Sequence, residues 1–517
     1  MTRPVDVLRR RAGLAVPLCA LDSETGFGIG DTAALTPFFG WMREAGFTAL
    51  QLLPLNDLGP GDSCPYAGLS ALGLDALAYI SPSAVFELRG RPVLDAALRK
   101  AAPLRRARRV RFEAVRALKR ELLSEAFTRF ERSGSGERKE RFGRFCGANS
   151  DWLADYALFR ALKEDIGWRP WEGWEEGLRE RDGGALAAAR TRLSRAVRFN
   201  EWLQWTMHSQ WLDVRRIARE KGILLFGDLP FGLAMESADV WARRGDYDFS
   251  ATMGAPPDKY SETGQDWSLP AYRWDRMEEG GHAWWRRRLR QAGELFDLYR
   301  LDHAIGFFRT WQVRGGPDRN RFDSRSDDEA RERGRRFFAM ARAAGSPAAP
   351  VAEDLGLVPS YMPATLAELE VPGYRIIPWN LRADGTFSDP AAYPALSVAT
   401  LSNHDMPPFA RWWGESPREV RDAFWRMAAR RDEPAPPLRG AALKTALDTL
   451  YRAGSALAIT QIQDVFGSRH RINVPGTVTP RNWSYRLPFT VEALTLEPRP
   501  RETARMLRSL AEAHGRL

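Results

Sequence analysis

Cysteine is scarce. Only Cys19, Cys64 and Cys146 are present, with no metal-ligand spacing, and three thiols cannot all pair. A disulfide framework is thereby excluded as the basis of the fold, and inert thiols in a reducing, cytoplasmic compartment fit them. Long hydrophobic runs are missing too: none approaches the roughly 20 residues that span a bilayer. Arg9-Arg10-Arg11 precedes an apolar run from Gly13 to Leu21, but that run contains Pro17 and lacks a small-x-small cleavage site before Asp22. It reads as a first strand, not as an export signal. No metal cluster and no cofactor fingerprint is visible. Gly26-Phe-Gly28-Ile-Gly30 misses the Gly-x-Gly-x-x-Gly spacing of a dinucleotide site, and Asp31 would repel a pyrophosphate, so a structural turn is predicted. Nucleic-acid motifs are absent as well, although the formal charge is +10 and the pI near 9.7. The excess is arginine interleaved with acids, as in Arg179-Glu180-Arg181-Asp182. The densest cluster, Arg105-Arg106-Ala107-Arg108-Arg109, reads as a solvated helix face. Neither nucleic acid nor membrane is expected as a partner.

What the chain has is apolar and aromatic mass. Hydrophobic residues make up 44%, enough for a sizeable core, and the 19 tryptophans and 26 phenylalanines mostly imply core packing. The remaining rings suit flat sugar faces. Residues 47–55 form a nearly continuous apolar run after a helix-like segment ending at Gly46, the look of a buried parallel strand. Similar runs recur at Ile223–Leu229, Leu298–Leu301, Pro350–Ala352 and Leu396–Leu401. Alternation of such runs with helix-patterned segments predicts a parallel α/β architecture, a (β/α)8 TIM barrel with long loops over its catalytic face. Between 83 and 200 the pattern turns helical. Val115, Leu118 and Leu122 share one face, Leu123, Phe127 and Phe130 another, and a helix capped at Asn149-Ser150 points Trp152, Tyr156 and Phe159 inward. The division predicted is barrel over 1–82, a helical insertion over 83–200, and the rest of the barrel over 201–517.

Several of the apolar runs end in acids: Asp228, Asp302 beside His303, Glu353 beside Asp354, and Asp405 beside His404. Cleaving a glycosidic bond with retention needs a nucleophilic carboxylate and a second carboxyl that protonates the leaving oxygen and then deprotonates the acceptor. Positive charge developing at the sugar carbon favours a further anion close by. In Arg300-Leu301-Asp302, positions 300 and 302 face the same side of a strand, so Arg300 can orient Asp302. Glu353 and Asp354 point opposite ways, one toward the barrel axis and the other toward the following loop.

Around these acids the chain resembles the 4-α-glucanotransferases of glycoside hydrolase family 77, the amylomaltases or disproportionating enzymes, from about Gly13 to Pro488. The resemblance rests on Gly28-Ile29-Gly30-Asp31, Gln51-Leu52-Leu53-Pro54-Leu55, Asp62-Ser63-Cys64-Pro65-Tyr66, Gly227-Asp228-Leu229-Pro230, the loop from Gly254 through Asp258 to Trp267, and Arg471-Ile-Asn473-Val-Pro475-Gly476. It implies that Asp302 forms the covalent intermediate, Glu353 acts as acid then base, and Asp405 holds hydroxyls of the distorted sugar. It implies binding roles for Arg300, His303, His404 and Asp228, and glucan contacts at Gln265, Trp267, Tyr66 and Asn473. The implied partners are α-1,4-glucans and maltooligosaccharides, and neither a metal nor a cofactor is called for. Met406-Pro407-Pro408 stands where the family usually continues with Thr, which bears on acceptor preference. Hydrolysis of the same bond and non-catalytic glucan binding on a degenerate barrel are the competing readings.

Overall fold

The structure is a computed structural model and describes residues 8–257 and 262–517. Its framework is a closed barrel of eight parallel strands: β1 (Arg11–Val16), β2 (Ala49–Leu52), β3 (Leu224–Leu229), β6 (Leu298–Leu301), β9 (Ala349–Ala352), β10 (Gly373–Ile376), β11 (Ser397–Thr400) and β12 (Leu457–Gln461). They follow one another around the barrel in chain order, and β12 closes against β1, Arg11 to Leu457 through Ala15 to Gln461. The barrel predicted from the apolar runs is therefore the fold. The first run is shorter than read: β1 stops at Val16, because Pro17 turns the chain into the 3-10 turn Leu18–Ala20.

Local chemistry explains the strand entries. Helix Leu35–Glu44 ends where Gly46 takes φ +79°, a left-handed position that sends the chain into β2. In β3, a side chain at Gly227 would put its Cβ 2.4 Å from the Phe296 ring. Only glycine lets that strand pass so close and bring Asp228 to the barrel mouth. Inside the barrel, Val351, Tyr374, Val398 and Leu457 fill the interior, and Gln51 donates to the Tyr374 hydroxyl at 2.9 Å. The filled interior leaves the chemistry to the strand ends.

Four further strands, β4 (Tyr247–Ala255), β5 (Gln265–Tyr272), β7 (Trp311–Val313) and β8 (Arg321–Phe322), form an antiparallel sheet in the order β5-β4-β7-β8. They arise from the connections that follow β3 and β6. The loop from Gly254 to Trp267 is part of this sheet, with Ala255 opposite Gln265; Asp258 to Ser261 at its tip lie outside the described residues.

Helices from Pro92–Lys100 to Ser194–Glu220 fill the connection between β2 and β3. Helix Ser194–Glu220 runs through residue 200, and its Trp211 indole donates to Leu295 O at 3.0 Å on the barrel side. Helix Phe112–Ser133 buries Val115, Leu122, Leu123, Phe127 and Phe130 as the periodicity predicts, while Leu118 of the first face is only half-buried. Two local readings need correction. Asn149 holds the N-cap position of helix Ser150–Asp165 but makes no side-chain capping bond; its amide nitrogen turns back to Phe145 O at 2.9 Å, beside its own N–H at 3.1 Å, and its oxygen accepts from the Trp152 indole at 3.1 Å. Trp152 on that helix is only half-buried. The 105–109 arginine cluster is no helix face either. Helix Ala102–Arg105 ends there, Arg105 binds Gly26 O and Leu98 O, and Arg109 binds Arg481 O. Asp31 caps the turn Thr32–Ala34 and pairs with the buried Lys119 at 3.2 Å, so the glycine segment before it is structural, as predicted. The three cysteines are free. No helix among the described residues is long and apolar enough to cross a membrane.

Candidate active site

Parallel register sets the acids side by side. Asp228 pairs with Arg300 across β3 and β6, and Leu301 pairs with Ala352 across β6 and β9. One residue further on, Asp302 and Glu353 leave their strands as neighbours, their N–H groups still bound to Leu229 O at 3.1 Å and Leu301 O at 3.0 Å. The Arg300 guanidinium sits between the acids. Its Nη1 donates to both oxygens of Asp228, at 2.8 and 2.9 Å, and lies 2.8 Å from Asp302 Oδ1, while Nη2 is 3.8 Å from Glu353 Oε2. One cation thus serves three carboxyl groups from three adjacent strands. Arg300→Met would leave those acids facing one another without it. Breaking a buried charge cluster this way costs about 3–5 kcal/mol, so urea unfolding of that variant is expected at a clearly lower midpoint.

Glu353 is strongly perturbed. Burial pushes its carboxyl up to about 8, helped by the Asp302 charge and opposed by Arg300 and by the His303 N–H, which donates to Oε2 at 2.9 Å. That donation requires His303 to hold φ +44°, a left-handed conformation uncommon outside glycine. Burial lowers the His303 imidazole to about 4, with Arg300 adding to the shift and Asp302 opposing it, so the ring is neutral around pH 7. Burial also raises Asp228, against the pull of Arg300. Asp354 points away from this group, as strand alternation predicts. It accepts from Tyr374 N at 2.5 Å and from Arg375 at 3.2 Å, bracing β10.

A second cluster stands opposite. Asp405 accepts from Asn473 Nδ2 at 2.7 Å and lies 3.2 Å from His404 Nε2. Burial opposes its charge, yet His404, Asn473 and Arg300 together hold the carboxyl down to about 2, although 42% of the side-chain surface remains open. Tyr66 joins the clusters: its hydroxyl donates to Asp228 at 2.7 Å, and its ring stacks on His404 at 5.2 Å. Trp267 meets the His303 ring edge-on at 4.6 Å, and its indole donates to the exposed Gln265 at 3.0 Å. All eleven candidate residues therefore belong to one connected group at the C-terminal mouth of the barrel.

Four contributors had no role assigned from the sequence. Arg471 binds Asp405 O at 2.5 Å and Asn473 O at 2.8 Å, locking the second cluster. Phe231 donates its N–H to Asp302 Oδ2 at 3.4 Å and packs its ring against His303. Asp464 accepts from Ser402 Oγ at 2.5 Å and Phe409 N at 2.6 Å, pinning both ends of the segment that holds Met406-Pro407-Pro408. Asn403 accepts from the N–H groups of Asp405 and Met406, so its side chain shapes the turn. Arg471 stands in a motif that signals its position; Phe231 has only its place just after Pro230.

A profile of the 4-alpha-glucanotransferase family, glycoside hydrolase family 77, matches residues 16–492. The chain belongs to this family. A 4-alpha-glucanotransferase of Thermus thermophilus is 33% identical over 99% of the chain and 100% of that protein. One from Chlamydia pneumoniae is 32% identical over 94% of the chain and 92% of that protein. Among solved structures, the amylomaltase of Streptococcus agalactiae in complex with acarbose superposes with a TM-score of 0.83 at 25% identity, covering 98% of the chain and all of that one. Family membership and the connected group of acids meet on the same barrel mouth.

Proposed function

We propose that the protein is a retaining 4-α-glucanotransferase of the cytoplasm. In this reading it moves a segment of α-1,4-glucan to the 4-hydroxyl of another glucan or of glucose. The Asp302 carboxylate attacks the anomeric carbon, and the C–O bond to the leaving sugar breaks as Glu353 gives its proton to the departing oxygen. The glucosyl ester so formed is opened by the acceptor 4-hydroxyl, which returns its proton to Glu353. Asp405, positioned by Asn473 and His404, takes hydroxyls of the distorted sugar, and its negative charge faces the oxocarbenium-like centre. Trp267 and Gln265 contact the glucan from the accessory hairpin, and Tyr66 holds Asp228 and His404 in place around the cleaved sugar.

The observation that carries this reading is geometric: Asp302 and Glu353 leave adjacent strands side by side, both within reach of the Arg300 guanidinium. Burial keeps a proton on Glu353, raised to about 8, for the leaving oxygen. The three unpaired thiols fit a reducing compartment. Incubation with maltotriose, with products resolved by chain length, tests the reaction. Glucose together with longer maltooligosaccharides is expected; maltose and glucose without longer chains would assign hydrolysis.

A further inference from the structure

Away from the catalytic mouth, a shallow cavity, wide open to solvent, lies where the helical block meets the first residues of β4. Its walls carry Glu180, Arg181, Arg243, Arg244, Asp246 and Arg273. Three of the four arginines are already matched by acids: Arg181 with Asp155 at 2.8 Å, Arg243 with Asp246 at 2.7 Å, and Arg244 with Glu180 at 2.6 Å. An anionic ligand would have to displace those carboxylates. The exposed Phe249 ring lines the same cavity, backed edge-on by Trp171 at 6.2 Å. Alternating donors and acceptors beside an exposed ring suit a neutral polyhydroxylated ligand, with hydroxyls bridging the paired charges and one sugar face on the aromatic surface.

The cavity is separate from the catalytic cleft but shares an element with it. From Tyr247 in the cavity wall, three ring contacts lead to His303: Tyr272 at 5.6 Å, then Phe231 at 5.6 Å, then His303 at 5.5 Å. Strand β4 starts in the cavity and ends at Ala255 opposite Gln265. None of the residues lining the cavity belongs to the catalytic group, so a maltotriose seated among the strand-end acids has its contacts there and not in the cavity.

We propose that this cavity is a second α-1,4-glucan site, which holds a remote stretch of a polymeric chain while another segment occupies the catalytic cleft. The proposal rests on the transferase reading, and maltotriose disproportionation by the unaltered protein tests that reading on its own. The test of the cavity is the Phe249→Ala/Arg273→Ala double variant, in which Arg273 is exposed and its guanidinium has no hydrogen-bond partner among the described residues. Its kcat and KM for maltotriose should match the parent, its KM for long-chain amylose should rise about tenfold, and its retardation in native gels containing glycogen should weaken. Unchanged amylose KM with unchanged retardation would overturn the proposal. A parallel rise in KM for maltotriose would do the same, since the cavity would then belong to the catalytic cleft. Should the double variant melt below the parent, Arg273→Gln alone must give the same split between polymer and trisaccharide.

Discussion

Asp302→Asn is expected to lower kcat for maltotriose by about 10⁵-fold, in the range seen when a nucleophile is removed, while glucan affinity stays close to that of the parent. The amide keeps the shape of the carboxylate and its oxygen still accepts from Arg300, which sits 2.8 Å from Asp302 Oδ1 in the parent. What it loses is the negative charge, and with it the nucleophilicity that attack on the anomeric carbon requires. Binding surfaces at Trp267, Tyr66 and Asn473 are untouched, so calorimetric titration with maltooligosaccharides should report little change. Turnover within a hundredfold of the parent would place the nucleophile elsewhere.

Glu353→Gln should lower kcat by about 10³-fold, the usual contribution of a positioned acid–base group, and change the shape of the pH profile. In the parent the proton needed by the leaving oxygen is present below about 8 and is lost as pH rises through that value. Activity should therefore show an alkaline limb near 8, and the glutamine variant should lack it. Stability carries the same signature. The Glu353 carboxyl is harder to ionise in the folded state than its ordinary value of 4.5, so between about 4.5 and 8 the unfolded chain gives up a proton that the native state retains. Over that window Glu353 makes native stability fall as pH rises, with no further change above it. Urea midpoints measured across the window should fall less steeply in the variant. Equal slopes in both proteins would contradict the raised carboxyl.

The sequence announced the barrel where strands were long enough, or apolar enough, to stand out. Leu298–Leu301 was legible to the residue, since its neighbours Asp297 and Asp302 bound it. β10 was not legible: Pro372 precedes it and Arg375 lies within it, so it looks like loop, and only pairing with β9 and β11 makes it a strand. β12 was hidden by its small alanines and polar Thr460-Gln461 end, which are tolerated because β1 and β11 cover it on both sides. The accessory sheet was opaque for a different reason. β4 alternates buried with exposed residues only irregularly and carries register shifts after Asp248 and Met253, so no clean two-residue period survives. Arg300 and Asp302 were readable as a pair because strand alternation puts them on one side. Tyr66 against His404 was beyond any local pattern, since their contact depends on closure of the whole barrel.

The guanidinium of Arg300 binds acids that come from three separate strands, so the charged centre is set by barrel register, with Tyr66 and Phe231 from the following connections as its nearest supports. The tip of the hairpin after β4 and the residues past Asp405 touch none of the four charged groups directly, so changes there bear on chain length and acceptor before they bear on the charged centre. For an engineer that makes the hairpin around Trp267 and the segment Met406-Pro407-Pro408 the natural places to vary, and the strand-end quartet of Asp228, Arg300, Asp302 and Glu353 the part to inherit whole.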